Sequence, residues 1–287
     1  MRVRPHAAQL GNGVRAFALV GALALASGVS AGSFGDPALV IPRSAPLEPY
    51  RFFGDQTVAA PLLVHAREPE DLSLRAQLVQ LTSDLAVPIG AEIDVPLPRD
   101  VSPRPRLEIE LSIPLPAVKR ETDFEIRFRF RRGPEKVWAA AGRIALRVYP
   151  ADLLGPVRSW ATSHPLRVVD DHGLLIGFLR EQRIPVVGVT ATRGSRAGRG
   201  VTLYAGPQAL RKGAHGPLRE DEAIVLFTER QTEVPRFLIE RTGGGTRVAV
   251  EMRLLDRLAT DPLAQKIFLE VFELVHEETS STGGNVR

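Results

Sequence analysis

The sequence predicts a β-sandwich followed by an α/β layer, and three observations carry that prediction. From Pro61 to about Pro150 apolar residues recur mostly at every second position, the period of a half-buried strand. Beyond Pro150 the period lengthens to about 3.6, and continuous apolar runs alternate with amphipathic ones. The chain of 287 residues has no cysteine, so no disulfide staples either half, and each must be held by an apolar core of its own.

The chain opens on MRVRPHAAQLGNGVR, with Arg2, Arg4 and Arg15 and no acid, followed by the apolar run AFALVGALALASGVSAG. With the small residues Val29-Ser30-Ala31 behind it, this reads as a secretory signal peptide over residues 1–31; an uncleaved anchor is the other reading. The run is too short and too rich in Ala and Gly to span a bilayer comfortably, so no integral span is expected after cleavage. A lipid anchor is excluded, because no cysteine is present to carry an acyl chain. The expected address is the periplasm or the cell envelope.

Beyond residue 31 stand 34 basic and 33 acidic residues, a balance of +1. Such a balance gives no electrostatic case for nucleic acid. The remaining 256 residues fit two ordinary domains. No internal repeat stands out.

Residues 32–60 are rich in Pro and small side chains and read as an extended leader, without regular structure until RFFGDQTVAAP. The sandwich is expected over 61–142. LSLRAQLVQL, AEIDVPL, LEIELSI, FEIRFRFR and WAAAGRIALRVYP supply its strands, separated by VPIG, LPRDVSPRPR and RRGPEK. In FEIRFRFR, Phe124, Ile126, Phe128 and Phe130 face one way and Glu125, Arg127, Arg129 and Arg131 the other. LEIELSI turns Leu107, Ile109, Leu111 and Ile113 inward, and the short PLPAVKRETD link makes the two strands expected antiparallel neighbours. The Arg row is read as a solvated face, with binding of an acidic polymer as the alternative. Several short strands of this spacing with no helical pattern among them argue for an antiparallel sandwich of immunoglobulin-like type.

The α/β layer is expected over 143–276, with a disordered tail at 277–287. ADLLGPVRSWATSH puts Leu153, Leu154, Val157, Trp160 and Ala161 on one stripe, with Asp152 in its first turn. LRVVD, IPVVGV, VTLYAG, AIVLFT and RVAVEM read as buried strands, and GLLIGFLREQR as a helix presenting Leu174, Leu175, Phe178 and Leu179. LATDPLAQKIFLEVFELV is a helix capped by Thr260 or Asp261, with Pro262 near its first position and Leu263, Ile267, Phe268, Val271, Phe272 and Val275 as its stripe. The implied sheet is mainly parallel and covered on both faces.

Residues 143–276, through the order RVYP, LRVVDDHG, GLLIGFLREQRIPVV, TGGGTRVAVEM and DPLAQKIFLEVFELV, resemble degenerate class I glutamine-amidotransferase-like domains of flavodoxin-like topology. The resemblance rests on Gly243-Gly244-Gly245 before a strand and Asp261-Pro262 before the last helix. It implies a Cys on a strand-to-helix elbow and a late His-x-Glu pair; here there is no Cys, and His276 is followed by Glu277 and Glu278 at a helix end. Thiolate amide hydrolysis is therefore not available to this chain.

The stretch LRVVDDHGLL sets Asp170, Asp171 and His172 just past an expected parallel strand, at the edge where open α/β sheets bind ligands. The same position suits a carboxylate that caps the helix starting near Gly173. The loop Thr190–Gly200 gathers Arg193, Arg196 and Arg199 among glycines, a candidate anion site or a solvated loop. The Gly243–Gly245 turn precedes a strand, unlike a dinucleotide fingerprint. No GxSxG elbow and no HExxH motif occurs; His65, His164 and His215 stand singly, so the sequence implies neither cofactor nor metal. Trp138 and Trp160 are expected in the core.

The expectation is a non-catalytic exported protein with a binding or assembly role, its partner an envelope protein or glycan. The alternatives are a carbohydrate-active or other hydrolase using carboxylates at the sheet edge, and a small-anion binder on the Arg193, Arg196 and Arg199 loop.

Overall fold

The computed structural model describes residues 39–42, 49–65, 72–97, 106–133, 137–164, 166–189, 200–215, 218, 222–228, 235–242 and 245–281. The expected signal segment, Arg193, Arg196, Arg199, Gly243 and Gly244 lie outside them. The chain is predominantly β, with three sheets among the described residues.

β1 (Leu39–Pro42), β3 (Thr57–His65) and β6 (Arg106–Pro114) form one antiparallel sheet in the order β1-β3-β6. The second sheet contains β2 (Tyr50–Phe53), β4 (Leu72–Leu81), β5 (Ala86–Val95), β7 (Thr122–Arg132) and β8 (Ala139–Tyr149), in the order β2-β8-β7-β4-β5. Alternation turns one face of each sheet toward the other. Leu62, Leu111 and Ile113 of the first share one apolar cluster with Leu74, Phe124, Ile126, Phe128 and Leu146 of the second. Each such side chain contributes about 1.5–3 kcal/mol by leaving water.

The third sheet contains β9 (Leu166–Asp170), β10 (Val186–Gly188), β11 (Gly200–Ala205), β12 (Glu222–Thr228), β13 (Arg236–Thr242) and β14 (Gly245–Glu251), in the order β10-β9-β11-β12-β14-β13. The first five in that order run parallel, and β13 closes the edge antiparallel to β14. Among the described residues four α-helices accompany the sheet: α1 (Gly155–Ser163), α2 (Leu174–Glu181), α3 (Pro207–His215) and α4 (Pro262–Ser281). Val168, Leu203, Val225, Phe227 and Val250 alternate onto one face and share a cluster with Val157 of α1, Leu179 of α2 and Phe268 of α4. On the opposite face α3 lies so close that a Cβ on Gly213 would meet Leu226 Cδ2 at 2.6 Å and the Tyr204 ring at 2.8 Å. Only glycine permits that approach.

Helix α4 begins as its sequence demands. The Leu263 N–H donates to Asp261 Oδ1 at 2.9 Å, and Pro262 takes the first helical position. Phe268 stacks on Phe227 with centroids 5.7 Å apart, and Phe272 meets the Trp160 ring edge-on at 4.9 Å.

Several expectations need correction. β1, β2 and the start of β3 fall within residues 32–60, because short apolar segments such as LVIP and YRFF pair with longer strands that their own patterns do not reveal. β8 continues to Tyr149 in the second sheet, so the first regime ends there and not at residue 142. β2 joins β8 in parallel, so that sheet is not purely antiparallel. β6 and β7 are not neighbours: β6 pairs with β3, while β7 lies between β4 and β8. α1 starts at Gly155 and leaves Asp152 in the preceding turn, where it holds Arg158 at 2.9 Å. Leu174 is exposed while Leu175, Phe178 and Leu179 are buried. Helix α4 reaches Ser281, inside the expected tail. Trp138 is half-exposed, with the Arg75 guanidinium 4.4 Å and that of Arg131 5.0 Å from its ring centroid.

Candidate functional site

The strand order places one point of the parallel sheet apart from the rest. From β9 the chain steps outward to β10 and then returns to the other side of β9 as β11. The segments leaving β9 and β11 therefore pass to opposite faces: α2 joins the cluster with α1 and α4, and α3 lies on Tyr204 and Leu226. Such a divergence opens a crevice beyond the carboxyl ends of the two strands, the usual ligand position in open α/β sheets. Asp170 ends β9 and Gly206 follows β11, so LRVVDDHG sits at this crevice.

The two aspartates do different work there. Asp170 Oδ2 accepts the N–H groups of Leu175 at 2.7 Å and Ile176 at 3.1 Å, and its Oδ1 accepts that of His172 at 3.1 Å. It is the cap of α2, made reachable by Gly173, whose φ of 73° turns the chain into the helix. Asp171 reaches the other way. Its Oδ2 accepts the N–H groups of Gln208 at 2.6 Å and Ala209 at 3.0 Å, while its own N–H donates to the Ala205 carbonyl at 3.1 Å. It caps α3, a helix that begins far along the chain at Pro207. Successive residues at a strand end point to opposite faces, and the helices on those faces each receive one carboxylate.

Gly206 makes this arrangement possible. Its φ is 95°, and a Cβ there would lie 2.7 Å from Asp171 Oδ2. The first turn of α3, an electropositive place where a substrate phosphate or carboxylate would ordinarily sit, holds the protein's own anion.

A small concavity of about 70 Å³ remains at this edge, lined by Asp170, His172, Thr228, Arg253 and Asp256 among others. Its polar groups are largely satisfied within the chain. Arg253 Nε donates to Asp256 Oδ2 at 2.6 Å, and Thr228 Oγ1 donates to the Val250 carbonyl at 2.9 Å. His172 stands exposed at the rim. Among the described residues no three His, Cys, Asp or Glu side chains are grouped to hold a metal.

Sequence reasoning thus located Asp170, Asp171 and His172 at the strand end, and the structure divides the two aspartates between two helices. It missed Gly206, Thr228, Arg253 and Asp256. The available signal was their position just beyond, or at the end of, β11, β12 and β14. Arg193, Arg196 and Arg199 fall outside the described residues.

No protein-family model matches the chain, and no curated protein matches it significantly. Among solved structures, a Niemann-Pick type C2 protein from Japanese carpenter ant is similar over 40% of this chain and 96% of its own, at 13% identity and a TM-score of 0.28. A Bacteroides uniformis β-glucuronidase is similar over 70% of this chain and 24% of its own, at 9% identity and a TM-score of 0.18. Likenesses this distant carry no functional argument. No helix among the described residues is long and apolar enough to cross a membrane.

Proposed function

We propose that this chain is a non-catalytic, exported protein with a binding or assembly role at the cell envelope, built from an immunoglobulin-like sandwich and a flavodoxin-like α/β domain. The observation that carries the reading is the commitment of Asp170 and Asp171 to the N-termini of α2 and α3. A general acid–base pair needs two carboxyl groups facing one reacting bond across a cleft, about 5 to 10 Å apart. These two face opposite sides of a sheet, and each is engaged by main-chain N–H groups of its own helix, which argues against the hydrolase alternative.

The strand order supports the α/β part of the proposal. Numbered among the parallel strands alone, with the antiparallel β13 set aside, β10-β9-β11-β12-β14 follow 2-1-3-4-5, the flavodoxin-like sequence. This accords with descent from amidotransferase-like domains, in a chain that lacks the cysteine their chemistry uses. Export rests on the basic and apolar character of residues 1–31.

The test is turnover of envelope glycans and peptides by the purified protein beside its Asp170→Asn and Asp171→Asn variants. No turnover by any of the three is expected, with both variants less stable. Reproducible turnover that one substitution abolishes in a folded variant overturns the proposal.

A further inference from the structure

The outward face of the second sheet carries a concentration of guanidinium groups that the sheet-edge site does not use. Arg75 on β4 and Arg127, Arg129 and Arg131 on β7 project from it, joined by Arg143 on β8. Three carboxylates sit among them. Asp94 holds Arg75 at 2.7 Å; Glu92 is divided between Arg75 at 3.2 Å and Arg129 at 3.5 Å; Glu125 is divided between Arg127 at 3.0 Å and Arg143 at 3.1 Å. Arg131 has no carboxylate partner among the described residues and lies against the Trp138 ring. Within this patch five cations face three anions, while Arg147 and Asp123 pair with one another further along the same face, and the side chains of Arg129 and Arg143 remain 60% and 76% exposed.

The backbone decides what kind of partner can use this face. β7 lies inside the sheet, paired on both sides, so it offers no free N–H or C=O row for an extended peptide. Recognition there must pass through side chains. Outward side chains repeat about every 6.7 Å along a strand, and adjacent strands lie about 4.8 Å apart. A linear polymer with one negative charge per residue can run along such a row of cations. Ala140 and Ala145 on β8 are exposed and short, which keeps the face low beside the arginines. Trp138, half-exposed, carries the Arg75 and Arg131 guanidiniums over its ring, which holds both cations in place on this face for a carboxylate to reach.

We propose that this face, centred on Arg129, Arg143 and Trp138, docks an anionic glycan of the polyuronate type. The assignment is independent of the sheet edge and stands even if the crevice at Asp170 proves reactive.

Titration calorimetry of the whole chain with a decagalacturonate, and with a dextran fragment of equal length, tests it. The uronate is expected to bind, with affinity falling about tenfold between about 50 and about 200 mM salt as two or three ion pairs with the polyanion are screened. The dextran is expected not to bind. The double variant Arg129→Ser, Arg143→Ser should weaken uronate binding about fivefold, and Trp138→Ala should weaken it in the same direction. Arg180→Ser, Arg211→Ser, which removes two exposed arginines of α2 and α3, should leave it unchanged. Unaltered thermal melts are required of each variant, and glutamine replaces serine at the same positions in any double variant that melts early. Absence of uronate binding at low salt, equal weakening by both double variants, or salt-sensitive self-association through this face in place of polymer binding each overturns the proposal.

Discussion

Lys266 of α4 and Glu121, which leads into β7, meet at 2.6 Å across 145 positions of sequence. Arg147 of β8 shares the same carboxylate at 3.3 Å, so α4 is fastened to the second sheet through Glu121. Glu270, one turn further along α4, stands 3.9 Å from the same ammonium. Burial raises its carboxyl above the ordinary glutamate range; Lys266 opposes that shift, and Glu273 and Glu121 add to it.

A glutamate that holds its proton more tightly when folded contributes stability at low pH, and that contribution is lost as pH rises through its folded titration. Glu270→Gln is therefore expected to raise the melting temperature by about 1 to 2 °C at neutral pH and to change it little at pH 4. Melting curves at the two pH values decide the matter. An equal effect at both would remove the titration of Glu270 as the cause.

Capping by the paired aspartates predicts a divided phenotype. Asp170→Ala should loosen the start of α2, and Asp171→Ala that of α3, each costing about 1 to 2 kcal/mol in urea denaturation. Amide hydrogen exchange distinguishes them: Leu175 and Ile176 gain exchange in the first variant, Gln208 and Ala209 in the second. Exchange gained at the same amides in both variants would mean that the two carboxylates form one unit.

The stacked pair Phe268 and Phe227 fixes α4 on the parallel sheet. Both rings are almost fully buried. Phe268→Ala is expected to lose about 3 to 5 kcal/mol, and Phe268→Leu markedly less, because the cavity is smaller. Chemical denaturation of the two variants gives the comparison; equal losses would point to the ring contact and not to filled volume.

Tyr149, buried at the end of β8, has its phenol pushed up to about 12, chiefly by burial and then by Glu121. A phenol that stays protonated longer in the folded state contributes stability below pH 10 that is lost as pH rises toward 12. The absorbance difference between wild type and Tyr149→Phe should consequently be flat through pH 10.5 and appear only near pH 12. A step near pH 10 would place Tyr149 in contact with water.

The faces of strands were legible in the sequence, and their neighbours were not. Phe124, Ile126, Phe128 and Phe130 are buried as the alternation of FEIRFRFR requires. The same alternation holds whichever strand lies alongside, so it could not reveal that β6 belongs to the opposite sheet. β13 escaped notice because it is an edge strand: RFLIERT leaves Leu238 and Ile239 exposed, and Phe237 alone of its residues packs against the core. The site was legible as a strand end carrying carboxylates. Its division between two helices was not, because the partner of Asp171 begins at Pro207 and local patterns carry no information over that separation.

Asp171 also bears on how this fold relates to its solution. An anion bound at the start of α3 by diffusion would leave on dilution or dialysis, and competing salts would displace it. The Asp171 carboxylate follows directly on the last residue of β9, so it is held at an effective concentration set by the backbone and not by the buffer. Occupancy of that helix start is consequently constant across phosphate or sulfate concentrations, and the protein carries its own counter-ion there.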